Sequence, residues 1–599
     1  MRTSNHGLSS RRSLIASALL VSLAGCGGSG GGGFSLPALP PAAQTQPPST
    51  PPAAGEEPRL KAGAVSAPDQ FGAQTAKLIL DSGGNAVDAG VAVAFALAVT
   101  LPGAGNIGGG GFMTVYMDGK PYFLDYREKA PGAATPTMYL DEKGEVIPGL
   151  SWDGSLSAGV PGTVAGMQAV HQKFGKLKWS QVMAPAIDYA RNGFVAYTTA
   201  EPTSTERRIN FNNYFGGKMI KGSLFKQAEL AETLQRISDN GADEFYKGRT
   251  ADLLVDQMSR TRGLISKADL ANYQVVWRDP VTINWHGLTI YTSPPPSSGG
   301  FGIGQLLKMK SFLAAQFANA PLNSAQYIHL TAEMEKRLFA DRAQYLGDPG
   351  FYKVPIAELL DDNYLRGRAA EINPNVPTPL ADVKPGLGFD YPAAGSATEK
   401  PETTHFSIVD KWGNAVSNTY TLNGEYGSGI VVEGAGFLLN NEMDDFSAKP
   451  GVPNQYGVVG ADANSIQPGK RPLSSMSPTI ATKDGNVALV LGTPGGSRIF
   501  TSVYQVLVDV FDYGLPLAVA QAKPRFHHQL LPDNVIFYEA GKFPDSVKAD
   551  LTSRGWILQD GVGGGLNIEA IQIVDKMPVA VTDPRSSDGR ALVIPSLLH

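Results

Sequence analysis

Residues 400–423 read KPETTHFSIVDKWGNAVSNTYTLN, and this stretch predicts a β-hairpin. Thr404, Phe406 and Ile408 alternate with His405, Ser407 and Val409, residues 410–414 (DKWGN) have turn composition, and a period-two strand returns over 415–423. Hydroxyls gather at one end: Thr403 and Thr404 on the outgoing strand, Thr419 and Thr421 on the return. A generic Thr-Thr pair reads as two solvent-facing threonines on an edge strand. The chemical reading differs. A threonine hydroxyl is a poor nucleophile without a base beside it, and one available base is the residue's own α-amine, which titrates at about 7.7–8.0. That amine exists only if the chain is cut before the threonine. Residues 377–402 (PTPLADVKPGLGFDYPAAGSATEKPE) are rich in proline and glycine and lead straight into Thr403, as such a cut requires.

The whole chain sets wide bounds. Its 599 residues, 42% hydrophobic, can bury a large core. Acidic residues outnumber basic ones 55 to 50, for a net charge of -5, and no basic run occurs outside the N-terminus, which argues against nucleic acid as a partner. At the N-terminus Arg11 and Arg12 precede the apolar run LIASALLVSLAG, which ends at Cys26. The run is short for a membrane span and reads as a targeting segment. Cys26 is the only cysteine, so no disulfide framework exists. Its setting, LAGC, resembles a bacterial lipobox; the plainer readings are a buried thiol or an uncleaved anchor. SSRRSL also resembles a twin-arginine export signal. The expected division is a lipoprotein signal peptide over 1–25, then a lipid-bearing cysteine and a Gly/Pro-rich leash over 26–58, with the folded body starting near Leu60.

Within the body, PDQFGAQTAKLILDSGG reads as a helix with Pro68 at its start and Gly83 and Gly84 at its stop. Asn85 then caps a second helix, AVDAGVAVAFALAVTLP, closed by Pro102. This second helix is apolar nearly all round and made of small residues, which predicts burial and close packing; the rival reading, a membrane span, needs a longer apolar run. Glycines 108–111 allow close backbone approach, or simply a flexible turn, and precede a hairpin that delivers Arg127. With no strand before them and no lysine after, they do not read as a phosphate loop. Residues 179–380 are mostly amphipathic helices, the clearest being TAEMEKRLFADRAQYLGDPGF. The adjacent His527 and His528 lack ligand spacing and read as packing or hydrogen-bonding residues, so neither a metal nor a cofactor is expected.

Several long motifs occur in order. TTHFSIVDKWGNAVSNTYTLN, GFLLNNEMDDFSAKPGVPNQYG, GKRPLSSMSPTI and GTPGGSRI follow one another, and upstream lie GGNAVDAGVAVAFALAVT, GNIGGGGFM, DYREKAP, GVPGTVAGM and PPPSSGG. Together they resemble the γ-glutamyltransferase (glutathione hydrolase) family, from about Leu60 to the C-terminus. The resemblance implies an α+β fold, the four-layer αββα sandwich of the N-terminal-nucleophile hydrolases, built from a large subunit (59–402) and a small catalytic subunit (403–599) cut from one precursor. It implies self-cleavage between Glu402 and Thr403, with Thr403 then acting as nucleophile and its freed amine as base. Thr421, returning within about one residue of opposite Thr403, would keep that hydroxyl aimed. Gly495 and Gly496 would supply the oxyanion-hole N–H groups, although Pro-Gly-Gly alone is only a turn.

The same resemblance assigns the substrate's far end. Arg127, by its planar fork, with Ser474 and Ser475, would hold the α-carboxylate. Asn423, Glu442 and Asp445 would hold the α-ammonium, under a lid loop that contains Tyr456. Taken singly, Arg127 reads as a surface salt-bridge residue and NNEMDDF as a polar loop. The expected activity is cleavage of γ-glutamyl amides such as glutathione and transfer of the acyl group to water, an amino acid or a peptide, by an exported, periplasmic, lipid-anchored heterodimer. The rivals are a glutaryl or β-lactam side-chain acylase of the same superfamily, and an inactive peptide-binding lipoprotein.

Overall fold

The structure is a computed structural model that describes residues 59–388, 403–561 and 566–595. The expectations for Cys26 and Glu402 fall outside the described residues. Two sheets form the centre. The first runs in the order Arg590–Pro595, Ala62–Ala67, Thr404–Val409, Ala415–Thr421, Gly110–Met117, Lys120–Asp125 and Val276–Arg278. The second runs Met577–Thr582, Glu569–Val574, Asn486–Gly492, Thr479–Lys483, Leu288–Thr292 and Val281–Trp285. The predicted hairpin is present, with Tyr420 opposite Thr404. The edge-strand reading is wrong. Thr404–Val409 is a central strand, paired with Ala62–Ala67 on one side and Ala415–Thr421 on the other, and every residue of it is buried.

Alternation along that strand divides its side chains between two layers. Phe406 and Ile408 enter a core shared with a layer of helices. His405, Ser407 and Val409 face the second sheet: Ser407 Oγ donates to the Glu569 carbonyl at 2.9 Å, the His405 ring lies against Gly492, and Val409 packs with Ile480, Val490 and Ile571. Helices Gly299–Phe312, Ala325–Tyr345 and Ile499–Phe511 cover the far side of the second sheet through a further core. The four layers are therefore helix, sheet, sheet, helix.

Helix Ala86–Thr100 explains much of the first helical layer. Asn85 caps it in a reciprocal box with Asp88, and all fifteen residues are buried. Small residues let it approach the sheet closely: a Cβ on Gly90 would stand 3.2 Å from Val416, and Tyr420 Oη donates to the Ala94 carbonyl at 2.9 Å. The preceding helix spans Gln70–Asp81 and is capped by Asp69 rather than begun at Pro68, because the Asp69 carboxylate accepts the Gly72 N–H.

The return strand ends at Thr421, two residues short of the expected Asn423. The Asn106 side chain takes the Thr421 carbonyl at 2.9 Å, and Asn423 turns into the left-handed region at φ 78°, which asparagine tolerates. The glycine run lies against this strand. A Cβ on Gly109 would stand 2.1 Å from the Thr421 carbonyl oxygen, and one on Gly111 2.5 Å from that of Thr419. It is a close-approach segment, not a flexible turn.

Candidate active site

Thr403 sits at the end of the inter-sheet layer. Its Oγ1 donates to Thr421 Oγ1 at 3.2 Å, and Thr421 Oγ1 also accepts the Asn423 N–H at 2.7 Å. The backbone N–H can only donate, so the Asn423 contact occupies one Thr421 lone pair and biases how the two hydroxyls orient. Directly below, His405 Nδ1 pairs with Thr419 Oγ1 at 2.8 Å and His405 Nε2 with Ser407 Oγ at 3.0 Å. Burial pushes His405 down to about 3, so it is a neutral spacer near pH 7.

Thr403 and Thr421 open onto a small pocket that also receives Arg127, Asn423, Glu442, Asp445, Tyr456, Ser474, Ser475 and Gly496. Sequence reasoning named all of these. Gly495 is the residue before Gly496, and both have positive φ, 132° and 57°, a backbone suited to glycine. The pocket further receives Arg342 and Asn454, which sequence reasoning missed. Arg342 lies within the recognised helix Ala325–Tyr345, where a lone arginine is indistinguishable from a surface charge. Here it is buried, donating from Nε to Ser298 Oγ at 3.0 Å and from Nη2 to Ser475 Oγ at 3.2 Å.

Arg127 is not a surface residue and NNEMDDF is not a solvated loop. Arg127 and Glu442 are fully buried. The Arg127 guanidinium pairs with Glu442 through Nη1 and with Asp445 through Nη2 at 2.5 Å, donates to the Leu473 carbonyl at 3.2 Å, and has Glu128 at 3.8 Å. Burial opposes the Arg127 charge, but Glu442, Asp445 and Glu128 outweigh it and hold the proton more firmly. The carboxylates show the converse. Burial lifts Glu442 and Asp445 above the usual range, with Arg127 pulling them down. The cluster thus gathers the carboxyl groups of Glu442, Asp445 and Glu128 around Arg127, with Arg342 also pulling Asp445 down, and a substrate cation would find acceptors there. Asn423 lies at its edge, donating from Nδ2 to the Asn441 carbonyl at 3.0 Å, while Tyr456 Oη donates to Asn423 Oδ1 at 2.6 Å and pins the 447–471 segment over the pocket.

Glu128 bears on pH-dependent stability. Neither carboxylate oxygen has a hydrogen-bond partner, and burial pushes it up to about 7 against the opposing pull of Arg127. Unfolded, a glutamate ionises near about 4.3. Between these values the folded protein keeps a proton that the unfolded chain has lost, so this contribution is complete below pH ~4.3 and is lost as pH rises through about 7. Glu128→Gln removes the titration. Its melting temperature should gain on that of the wild type from pH 5 to pH 8, and a constant difference in thermal unfolding would contradict the assignment.

His527 and His528 lie elsewhere. His527 bridges Thr501 Oγ1 and Gln529 Oε1 at 3.0 and 3.1 Å, His528 Nδ1 meets the Val535 carbonyl at 2.7 Å, and both are buried. They pack and hydrogen-bond, as their spacing suggested. Among the described residues no three His, Cys, Asp or Glu side chains are grouped to hold a metal ion.

A buried threonine hydroxyl pair beside a closed charge cluster agrees with the motif order, and a sequence profile described as Gamma-glutamyltranspeptidase matches residues 72–593. The chain belongs to the γ-glutamyltranspeptidase family. Within it, the chain is 57% identical over 542 residues to the "Glutathione hydrolase proenzyme" of Pseudomonas aeruginosa, covering 89% of this chain and 95% of that one. A solved γ-glutamyltranspeptidase from Pseudomonas nitroreducens, complexed with L-DON, is 57% identical with a TM-score of 0.53, over 55% of this chain and 100% of that one. The cephalosporin acylase from Bacillus halodurans superposes over 92% of this chain and 99% of its own with a TM-score of 0.75, at 24% identity. This last likeness concerns the fold alone. This chain thus shares its fold with that acylase.

Proposed function

We propose that this γ-glutamyltranspeptidase cuts itself between Glu402 and Thr403 and then moves γ-glutamyl groups from glutathione and related amides to water, amino acids or peptides. The observation that carries this reading is that one pocket holds both the Thr403–Thr421 hydroxyl pair and the Arg127–Glu442–Asp445 cluster.

Maturation begins when Thr403 Oγ attacks the Glu402 carbonyl. The peptide C–N bond breaks as an ester forms on Oγ, which frees the Thr403 α-amine, and water then hydrolyses that ester to release the Glu402 carboxylate and restore the hydroxyl. In turnover that amine takes the hydroxyl proton while Oγ attacks the substrate's γ-carbonyl. The N–H groups of Gly495 and Gly496 stabilise the oxyanion, and the leaving amine departs with the proton. Water or an acceptor amine then cleaves the γ-glutamyl–Thr403 ester and restores the hydroxyl.

The charge cluster selects the donor by exchanging partners. The substrate carboxylate takes Arg127, with the Ser474 and Ser475 hydroxyls as further donors. The substrate ammonium takes Glu442 and Asp445, with Asn423 beside them. Each internal ion pair is replaced by an equivalent one, so no charge is left buried alone, which would be the costly outcome. No cofactor takes part. Tyr456 lines the pocket beside Asn423.

The reading extends to location. The export signal over 1–25 and the Cys26 lipobox support an exported, periplasmic protein tethered by lipid through the 26–58 leash. Purified protein is expected to release p-nitroaniline from γ-glutamyl-p-nitroanilide, faster when a dipeptide acceptor is added, and to hydrolyse glutathione. Absence of turnover on both substrates would leave the inactive binding protein as the better account.

A further inference from the structure

We infer that the end of the sandwich opposite Thr403 is a contact face for anionic lipid headgroups, so that the tethered enzyme holds its active site away from the membrane. The inference takes its geometry from the tether reading, but its evidence is separate. Strand Thr404–Val409 runs about 20 Å from Thr403 to the turn at Lys411 and Trp412. The chain enters the fold at that turn: Leu60 N–H donates to the Lys411 carbonyl and Lys61 N–H to the Lys576 carbonyl. The described chain thus begins at the end away from the pocket, and a lipid-bearing residue upstream would tether the fold from that end.

The turns gathered here have a shared chemistry. The Asp118–Lys120 turn adjoins Asn414 through the Asp118 N–H, the turn at Gly485 receives Tyr116 Oη, and the Asp575–Lys576 turn adjoins Lys61. Arg59, Lys61 and Lys120 are exposed, as are Lys483 and Lys576, and Lys411 is half-buried. Lys176 adds a further charge 4.0 Å above the Trp412 ring. Against these stand Asp118, Asp484 and Asp575; Asp410 is buried and accepts from Ala86 and Asn414, and Asp81 is paired with Lys77. Among the described residues basic groups thus predominate on this end of a chain whose net charge is -5. Apolar side chains sit among them: Val574 and Met577, flanking the Asp575–Lys576 turn, are 45% and 40% exposed. Lysines around a tryptophan and small apolar tips suit an anionic headgroup layer.

The test uses full-length Cys26→Ser protein, which carries no lipid, with vesicles of phosphatidylcholine alone or mixed with phosphatidylglycerol at low salt. Arg2, Arg11 and Arg12 at the N-terminus are common to the two proteins compared, so the excess on the anionic vesicles that the face variant loses reports the basic face. That excess should fall about tenfold or more in the same protein carrying Lys411→Glu, Lys483→Glu and Lys576→Glu, and should fall in high salt. Turnover of γ-glutamyl-p-nitroanilide by the triple variant should be unchanged, which shows that it folds. Equal retention on both vesicle types, or an excess untouched by the triple variant, overturns the inference. The tether is judged separately by fractionating cells that make the lipid-competent protein: recovery in the soluble fraction refutes lipid on Cys26 and leaves the vesicle result standing.

Discussion

Thr403→Ala is expected to remain one uncut chain, with turnover of γ-glutamyl-p-nitroanilide lowered by about 10⁴-fold or more, as when the nucleophile of a covalent hydrolase is removed. The two losses share one cause. The hydroxyl that attacks the Glu402 carbonyl is the one that later attacks substrate, and the base for turnover is an amine that cleavage creates. Thr403→Ser keeps the oxygen, so it should still separate into two chains, the smaller beginning Ser-Thr-His-Phe, with part of the activity. Denaturing gels, N-terminal sequencing of the small chain and initial rates measure all of this. Full turnover by an uncut chain would sink the mechanism.

The second large effect turns on one charge. Asp445→Asn keeps the shape of the pocket and removes a partner of the substrate ammonium. Losing one member of a buried, hydrogen-bonded charge pair costs roughly 2–5 kcal/mol, or about 30- to several thousand-fold. The loss should fall on kcat/KM for γ-glutamyl-p-nitroanilide, because the ammonium is held in the ground state and the transition state alike. A glutaryl analogue has the carboxylate but not the amine. It should be a poor substrate of the wild type, since it would take Arg127 and leave Asp445 buried without a counter-charge. In Asp445→Asn it should lose little or improve, because Arg127 no longer has to be drawn from Asp445, its partner at 2.5 Å. Self-cleavage should be spared, as Glu402 presents no free ammonium. Equal losses on the two substrates would mean that Asp445 serves the scaffold, and would reopen the glutaryl acylase reading.

What could be read from the sequence depended on the range of the interaction. The hairpin at Thr403 is local: period two, a five-residue turn and two strands of matching length brought Thr421 opposite Thr403 to within a residue, as Tyr420 opposite Thr404 now shows. Helix Ala86–Thr100 was equally plain, because fifteen small or apolar residues after a capping asparagine leave few alternatives. The central position of the Thr404–Val409 strand was not legible, since its neighbour Ala62–Ala67 lies more than 300 residues away and carries no mark of its pairing. The same holds for charge partners. Arg127, Glu442 and Asp445 were named through family motifs, but their closure on one another is a tertiary fact. Arg342 was missed because helical periodicity shows only that a position faces inward, not what it meets there.

The strand order of the first sheet has a consequence for the mature enzyme's reversibility. Read across, Arg590–Pro595 belongs to the segment after Thr403, Ala62–Ala67 to the segment before it, the hairpin strands Thr404–Val409 and Ala415–Thr421 to the later segment again, and Gly110–Met117 to the earlier. Hydrolysing one peptide bond leaves this weave untouched, and neither piece can be lifted out without tearing central strands from both neighbours. Dissociation and global unfolding therefore become a single event. The precursor can refold as one chain, but two strangers in dilute solution must first find each other and then interdigitate strand by strand, in competition with their own exposed edges. The cleavage proposed before Thr403 would convert a reversible fold into a ratchet, with the lifetime of the active enzyme then set by how slowly it opens rather than by an equilibrium.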